Sequence, residues 1–171
     1  MKKIHAPIYL VLLLLLTACG FTPMHGKYSA QSSQAVQQNL AQISIANIPN
    51  REGQFLKNAL IDRFYTDGRP SNALYVLDIE PIDEILTDLD ITKSSDATRA
   101  QLRLNTIINL KDKATNAVVL RRKLTAVTSY NILQSQFTTR VSEQDARENA
   151  LNDLADQIER QLALYFNRTA T

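Results

Sequence analysis

The sequence predicts an α+β fold, a two-layer sandwich with two helices packed on one face of a mostly antiparallel four-stranded sheet. Two segments, about Arg51–Thr66 and Ser142–Phe166, repeat apolar residues at helical spacing along a single stripe. Four others, near 40–48, 74–92, 99–111 and 118–130, alternate apolar and polar residues as half-buried strands do. The order is strand, helix, three strands, helix. One-faced strands and one-striped helices cover each other most simply as two layers.

The first strand places Ile43 and Ile45 on one side, with Gln42 and Ser44 on the other. Its direction in the sheet stays open. Pro49 stops it, and Asn50 is expected to cap the helix that follows. In that helix Leu56, Leu60 and Phe64 recur every four residues, widened by Phe55 and Ile61. Asp67-Gly68 closes it and Pro70 prevents its continuation. From Leu74 to Thr92, Tyr75, Leu77 and Ile79 share one face, and Ile85, Leu89 and Ile91 share one face. Pro81 lies between the halves and predicts a bulge or bend. The strand Arg99–Lys111 alternates most clearly: Leu102, Leu104, Ile108 and Leu110 oppose Arg99, Gln101, Arg103, Asn105 and Asn109. A turn at Asp112–Asn116 leads to the last strand, with Val118, Leu120, Leu124 and Ala126 on one face. Residues 131–141 read as a connection. Ser142 is expected to cap the closing helix, with Glu143 and Asp145 favouring its dipole and Leu151, Leu154, Ile158, Leu162 and Tyr165 forming its stripe.

The N-terminus reads differently. Lys2 and Lys3 precede an apolar run, Ile8–Leu16, too short to cross a bilayer and shaped like a secretory signal. It ends in Leu16-Thr17-Ala18-Cys19, which holds the chain's one cysteine. This stretch resembles the lipobox of bacterial lipoproteins. The resemblance implies cleavage before Cys19 and covalent acyl chains on it, and multiple chains anchor stably where one does not. Gly20 follows, where lipoproteins kept at the inner membrane typically carry Asp, so the resemblance implies the outer membrane. The expected organisation is a signal peptide over 1–18, a lipidated tether over 19–38, one α+β domain over 39–168, and a polar tail over 169–171. The tether is read as polar, irregular and flexible.

Composition excludes several functions. With Lys2 and Lys3 removed, the 19 basic residues fall to the number of acidic ones, 17. A neutral chain gives no reason to expect nucleic acid. Acylation of Cys19 leaves no thiol for disulfides, zinc or catalysis. The two histidines, His5 and His25, lie outside the folded part. No phosphate loop, G-x-S-x-G elbow or metal-ligand spacing occurs. The acidic run from Asp78 to Asp90 is spread by alternation over two faces. No enzyme activity, metal or cofactor is expected, apart from the acyl chains on Cys19.

Two hairpins supply the candidate site. A turn at Lys93–Asp96 sets Leu102 opposite Leu89 and Thr106 opposite Ile85. The reverse face then pairs Arg103 with Asp88 and Lys111 with Glu80. In the second hairpin Leu104 faces Leu124, Ile108 faces Leu120 and Leu110 faces Val118, which sets Arg121 beside Ile107 and Lys123 beside Asn105. Arg99, Arg103, Arg121 and Lys123 thereby form a basic patch on the exposed sheet face, with no acids on the last strand to answer it. Arginine forks suit phosphates and carboxylates. The patch also reads as structural ion pairs, or as a charged face kept soluble. Arg122 falls on the apolar side in this register, so it lies at the sheet margin or the register is off by one.

Several motifs together resemble the LptE family of lipopolysaccharide-assembly lipoproteins, in its alphaproteobacterial form. They are Cys19-Gly20-Phe21-Thr22-Pro23-Met24-His25-Gly26, Ile48-Pro49-Asn50-Arg51-Glu52-Gly53-Gln54 leading into Leu56-Lys57-Asn58-Ala59-Leu60, and Ala146-Arg147-Glu148-Asn149-Ala150-Leu151 through Ile158. The resemblance implies two helices on a four-stranded sheet and no catalytic site. It implies a lipid-anchored protein on the periplasmic face of the outer membrane, with an LptD-like β-barrel and lipopolysaccharide as partners. Together with LptD it would form the translocon that places lipopolysaccharide in the outer leaflet. The alternative is an envelope lipoprotein acting as a periplasmic adaptor for another lipid or transport system, without a barrel.

Overall fold

The computed structural model describes residues 27–65, 68–91 and 97–169. The chain divides into two compact units, Met1–Gln34 and Ala35–Thr171. Within the described residues the elements run α1 (Lys27–Leu40), β1 (Ile43–Ile45), α2 (Asn50–Phe64), β2 (Tyr75–Ile79), β3 (Asp83–Ile91), β4 (Ala97–Asp112), β5 (Val118–Asn131) and α3 (Gln136–Thr169). The result is a mixed α+β fold with three helices and a five-stranded, mostly antiparallel sheet. It corrects the expectation of two helices and four strands.

The fifth strand comes from Pro81. β2 and β3 both pair with the same side of β4, antiparallel, one after the other. Ile79 opposes Ile108 and Asp83 opposes Asn105, so three residues on one side answer two on the other. This is the expected bulge, at a residue with no N–H to give the ladder. The Glu80 amide donates to the Ile107 carbonyl at 2.9 Å, and the buried Thr106 hydroxyl donates to the Glu80 carbonyl at 2.7 Å. β5 pairs along the other side of β4, and β1 adds in parallel to β2.

The first hairpin's register is corrected. Leu86 opposes Leu102, Ile85 opposes Arg103 and Leu89 opposes Arg99. The shift from the expected pairing is odd, and an odd slip exchanges a strand's two faces. Ile85 and Leu89 therefore share the face of Arg103, and Asp88 opposes Ala100 rather than Arg103. The second hairpin is off by an even step, which keeps faces. Leu104 opposes Ala126, Thr106 opposes Leu124 and Leu110 opposes Leu120. Its turn is tied by Asp112, whose Oδ1 accepts from the amides of Ala114 and Thr115 at 3.0 and 2.8 Å. Asn116 takes a left-handed φ of 57° there, a conformation asparagine tolerates.

Both long helices pack on the apolar side of the sheet. Leu56, Leu60 and Phe64 of α2, and Leu151, Leu154, Ile158 and Leu162 of α3, meet Leu77, Leu102, Leu104, Ile108 and Leu110. Phe166, not Tyr165, completes the α3 stripe as a buried residue. Arg63 of α2 ties the helices together through Asp156 of α3 at 2.7 Å.

Three helix boundaries differ from expectation. Residues 27–38, read as irregular, are helical, and Val36 and Leu40 reach the core. Asn50 does not cap α2: Pro49 occupies the cap without a side-chain bond, and Asn50 has φ 69°. Gln54 instead donates back to the Ile48 carbonyl at 2.9 Å. α3 starts at Gln136, so Ser142 lies inside it. Its entry is tied by Thr139, whose hydroxyl accepts from the Leu133 amide at 2.9 Å.

Candidate functional site

With α2 and α3 on one side, no described helix covers the other side of the sheet. Strand alternation decides what it displays. Because Leu102, Leu104 and Ile108 are buried, Arg99, Gln101, Arg103, Asn105, Ile107 and Asn109 of β4 point the opposite way. Register adds Arg121 beside Asn109, Lys123 beside Ile107, Val127 beside Arg103, and Ile85 on the far side of Arg103. All four predicted cations, Arg99, Arg103, Arg121 and Lys123, lie on this face.

They form a stripe rather than a cluster. Arg99 and the level of Arg121 are ten β4 positions apart, roughly 34 Å at strand rise. The two ends differ in character. Near β2, Arg121 bonds Glu80 at 3.2 Å and Lys111 bonds Asp78 at 3.0 Å. Asn109, nearly buried, donates to the same Glu80 carboxylate at 3.4 Å. This end carries its own counter-charges, so the ion-pair reading holds here with different partners: Lys111 goes to Asp78 and Arg121 takes Glu80. Arg99 and Arg103 towards the other end, and Lys123 next to Arg121 at the level of Ile107, make no ion pair among the described residues. Among the described residues Arg103 reaches only the Gln101 amide oxygen, at 3.5 Å. It stands between Ile85 and Val127, 44% and 49% exposed. Sequence reasoning missed this apolar flanking, because the odd register slip had put Ile85 in the core. Arg122 is exposed on the helix side of β5, so the margin reading is the correct one.

The family-like motif around Ile48-Pro49-Asn50-Arg51-Glu52-Gly53-Gln54 serves the fold. Ile48 is fully buried against Gly53, where a Cβ would come within 2.6 Å of Ile48 Cγ2. Asn50 takes the left-handed turn and Gln54 holds the Ile48 carbonyl. Arg147, from the closing-helix motif, is a hub that sequence reasoning did not single out. Its guanidinium grips Glu84 of β3 through Nε at 2.9 Å and Nη2 at 2.8 Å, and Glu143 at 2.7 Å. The bonds to Glu84 are the main cause that raises the Arg147 pKa further above its ordinary value. Beside it, burial raises the Tyr130 hydroxyl, with Glu143 adding to the shift.

Among the described residues there is no His, Cys, Asp or Glu group arranged to hold a metal. No described helix is long and apolar enough to cross a membrane. Cys19, the predicted lipidation site, lies outside the described residues.

Fold and site together define a class: a small two-layer α+β domain, helices on one face, with a cationic and aliphatic sheet face left open. The sequence model of LptE, described as lipopolysaccharide-assembly, matches residues 40–162, and the chain belongs to that family. Solved structures agree on the fold. A Caulobacter crescentus CB15 lipoprotein is 21% identical, with 78% of this chain and 96% of that one covered, at a TM-score of 0.63. The minor lipoprotein of Acinetobacter baumannii is 26% identical, covering 74% and 90%, at 0.53. The rare lipoprotein B of Shewanella oneidensis is 10% identical, covering 75% and 97%, at 0.60. Comparison with curated protein sequences gives no match.

Proposed function

We propose that this chain is a lipid-anchored outer-membrane protein that assembles with and plugs an LptD β-barrel, and that the pair delivers lipopolysaccharide to the outer leaflet. The match to a lipopolysaccharide-assembly family across residues 40–162 carries this reading. In it, Cys19 bears the acyl chains that hold the domain at the periplasmic face. The domain acts by binding and positioning, not by catalysis. The open sheet face meets lipid A phosphates or acidic groups of the barrel. Arg99, Arg103 and Lys123 carry most of this role, because Arg121 already has Glu80. A guanidinium flanked by Ile85 and Val127 suits an anion attached to hydrocarbon.

The test is lipopolysaccharide capture by the purified chain and by an Arg103→Glu/Lys123→Glu variant. Both residues are exposed, so the fold is expected to survive, which circular dichroism checks. Two reversed charges are expected to weaken binding by about ten-fold or more at low salt, less as salt screens them. Unchanged binding and unchanged salt dependence would remove this face from the proposal.

A further inference from the structure

β5 lies at an edge of the described sheet. β4 lies on one side of this strand and no described strand lies on the other. Which main-chain groups face outward follows from one bond. The Ile132 amide donates to the Thr98 carbonyl at 2.9 Å, in line with the pairing of Arg99 with Asn131. In an antiparallel pair, opposed residues alternate between exchanging hydrogen bonds and exchanging none. From Leu120 onward the even-numbered residues of β5 therefore bond β4, and Arg121, Lys123, Thr125, Val127 and Ser129 turn their N–H and C=O groups away from it.

Two side chains confirm that parity. The Arg121 carbonyl accepts from Arg122 Nη1 at 2.8 Å, and the Thr125 carbonyl accepts from Gln157 Nε2 at 3.0 Å. The main-chain groups of Lys123, Val127 and Ser129 have no such partner among the described residues. Edge strands are ordinarily blunted by proline, bulges or a covering element. From Leu120 to Asn131 the strand has no proline and a continuous register; its one irregularity is at Val119, where Leu110 pairs with Leu120 and Lys111 with Val118. The edge carries a contiguous cationic run, Arg121-Arg122-Lys123, all exposed, and β5 holds no acidic residue.

We propose that the β5 edge receives an extended acidic segment of another polypeptide as an added strand. Main-chain bonds to Lys123, Val127 and Ser129 would give affinity, and carboxylates opposite Arg122 and Lys123, with Arg121 shared with Glu80, would set the register. A second copy fits less well. Two cationic runs would join one ribbon, and in this chain's own acidic strand, β3, Glu84 is already held by Arg147. The inference goes beyond the lipid reading, because its affinity comes from edge main chain; Arg121 and Lys123 are the side chains the two share.

The experiment is residue-resolved amide exchange on the full-length mature chain. The probes are a peptide of about ten alternating Glu and Val residues, a usual strand length, and its Lys/Val counterpart. With the Glu peptide, exchange at Lys123, Val127 and Ser129 slows by about ten-fold or more, while the already bonded even-numbered amides change little. The Lys peptide has no effect. Val127→Pro removes an outward N–H and spares the β4 ladder, so it abolishes the protection with all four open-face cations in place. Absence of slowing with the Glu peptide overturns the proposal, as does equal slowing with both peptides. Sedimentation that shows self-association broken by Val127→Pro also overturns it, assigning the edge to a second copy. The unmodified chain decides even if the proline variant misfolds. Lipopolysaccharide capture is read separately with Arg103→Glu, a β4 residue the edge does not use, so failure of one reading leaves the other standing.

Discussion

Gly53→Ala tests how the Ile48–Gln54 segment is built. Alanine ordinarily favours a helix over glycine by about 1 kcal/mol. In open space the substitution would therefore stabilise the protein. Here the new Cβ meets Ile48 Cγ2 at 2.6 Å and the Ile48 carbonyl carbon at 3.0 Å. Ile48 is fully buried and β-branched, so neither its side chain nor its main chain yields cheaply. Overpacking of this kind costs about 1–3 kcal/mol. A 2.6 Å approach sets the cost in the upper part of that range, about 2–3 kcal/mol, so the net expectation is a loss of about 1–2 kcal/mol, with Tm lower by roughly 3–8 °C for a domain of this size. Urea denaturation with an unchanged slope measures it. The partner variant is Ile48→Ala, which alone costs about 2–4 kcal/mol as a buried truncation. In that background Gly53→Ala should be neutral or stabilising, because the opposing methyl is gone. A Gly53→Ala chain as stable as the parent, or additivity of the two changes, would refute the close-packing argument.

Two further changes probe the ion pairs and the turn. Arg147→Met keeps the apolar stem and removes the guanidinium that holds Glu84 and Glu143; a loss of about 2 kcal/mol is expected, discounted for the partial exposure of both carboxylates. Adding Glu84→Gln to that variant should cost far less than Glu84→Gln alone, and equal costs would mean the bridge is idle. Asp112 is held below the usual carboxylate range by the amide and hydroxyl of Thr115, so its folded pKa lies under the unfolded one. Its contribution is present above the unfolded pKa, about 3.9, and is lost as pH falls through the lower folded value. The Tm gap between the parent and Asp112→Asn should stay constant from neutral pH to about 5 and close towards pH 2. A gap independent of pH over that range would contradict the turn assignment.

What the sequence made legible tracks how local each signal was. The stripes of α2 and α3, the alternation of β4 and the break at Pro81 are short-range patterns, and each reappears in the structure. The even slip of β5 left its faces correct, so Arg103, Arg121 and Lys123 were placed on the open side. The odd slip of β3 did not, because the alternation alone does not fix which β4 residue Ile91 meets, and it meets Ala97. That error hid the Ile85–Arg103–Val127 row and misassigned every ion pair. Helix ends were lost where capping residues did something else. Asn50 supplied a left-handed turn instead of a cap, and Ser142 stood one and a half turns inside a helix that Thr139 ties at its entry. Arg147 is illegible in sequence because its partner Glu84 lies 63 residues away and reaches it only through the fold. Glu80 was placed opposite Lys111, yet the bulge delivers it to Arg121.

Affinity capture of the full-length, acylated chain from detergent-solubilised outer membranes, with its copurifying proteins identified, tests the central claim most directly. The account predicts a large β-barrel of the LptD type retained in equal amount through mild detergent, and a fall in surface lipopolysaccharide when the chain is depleted. A chain recovered without any barrel, from cells whose surface lipopolysaccharide does not change on depletion, would contradict it.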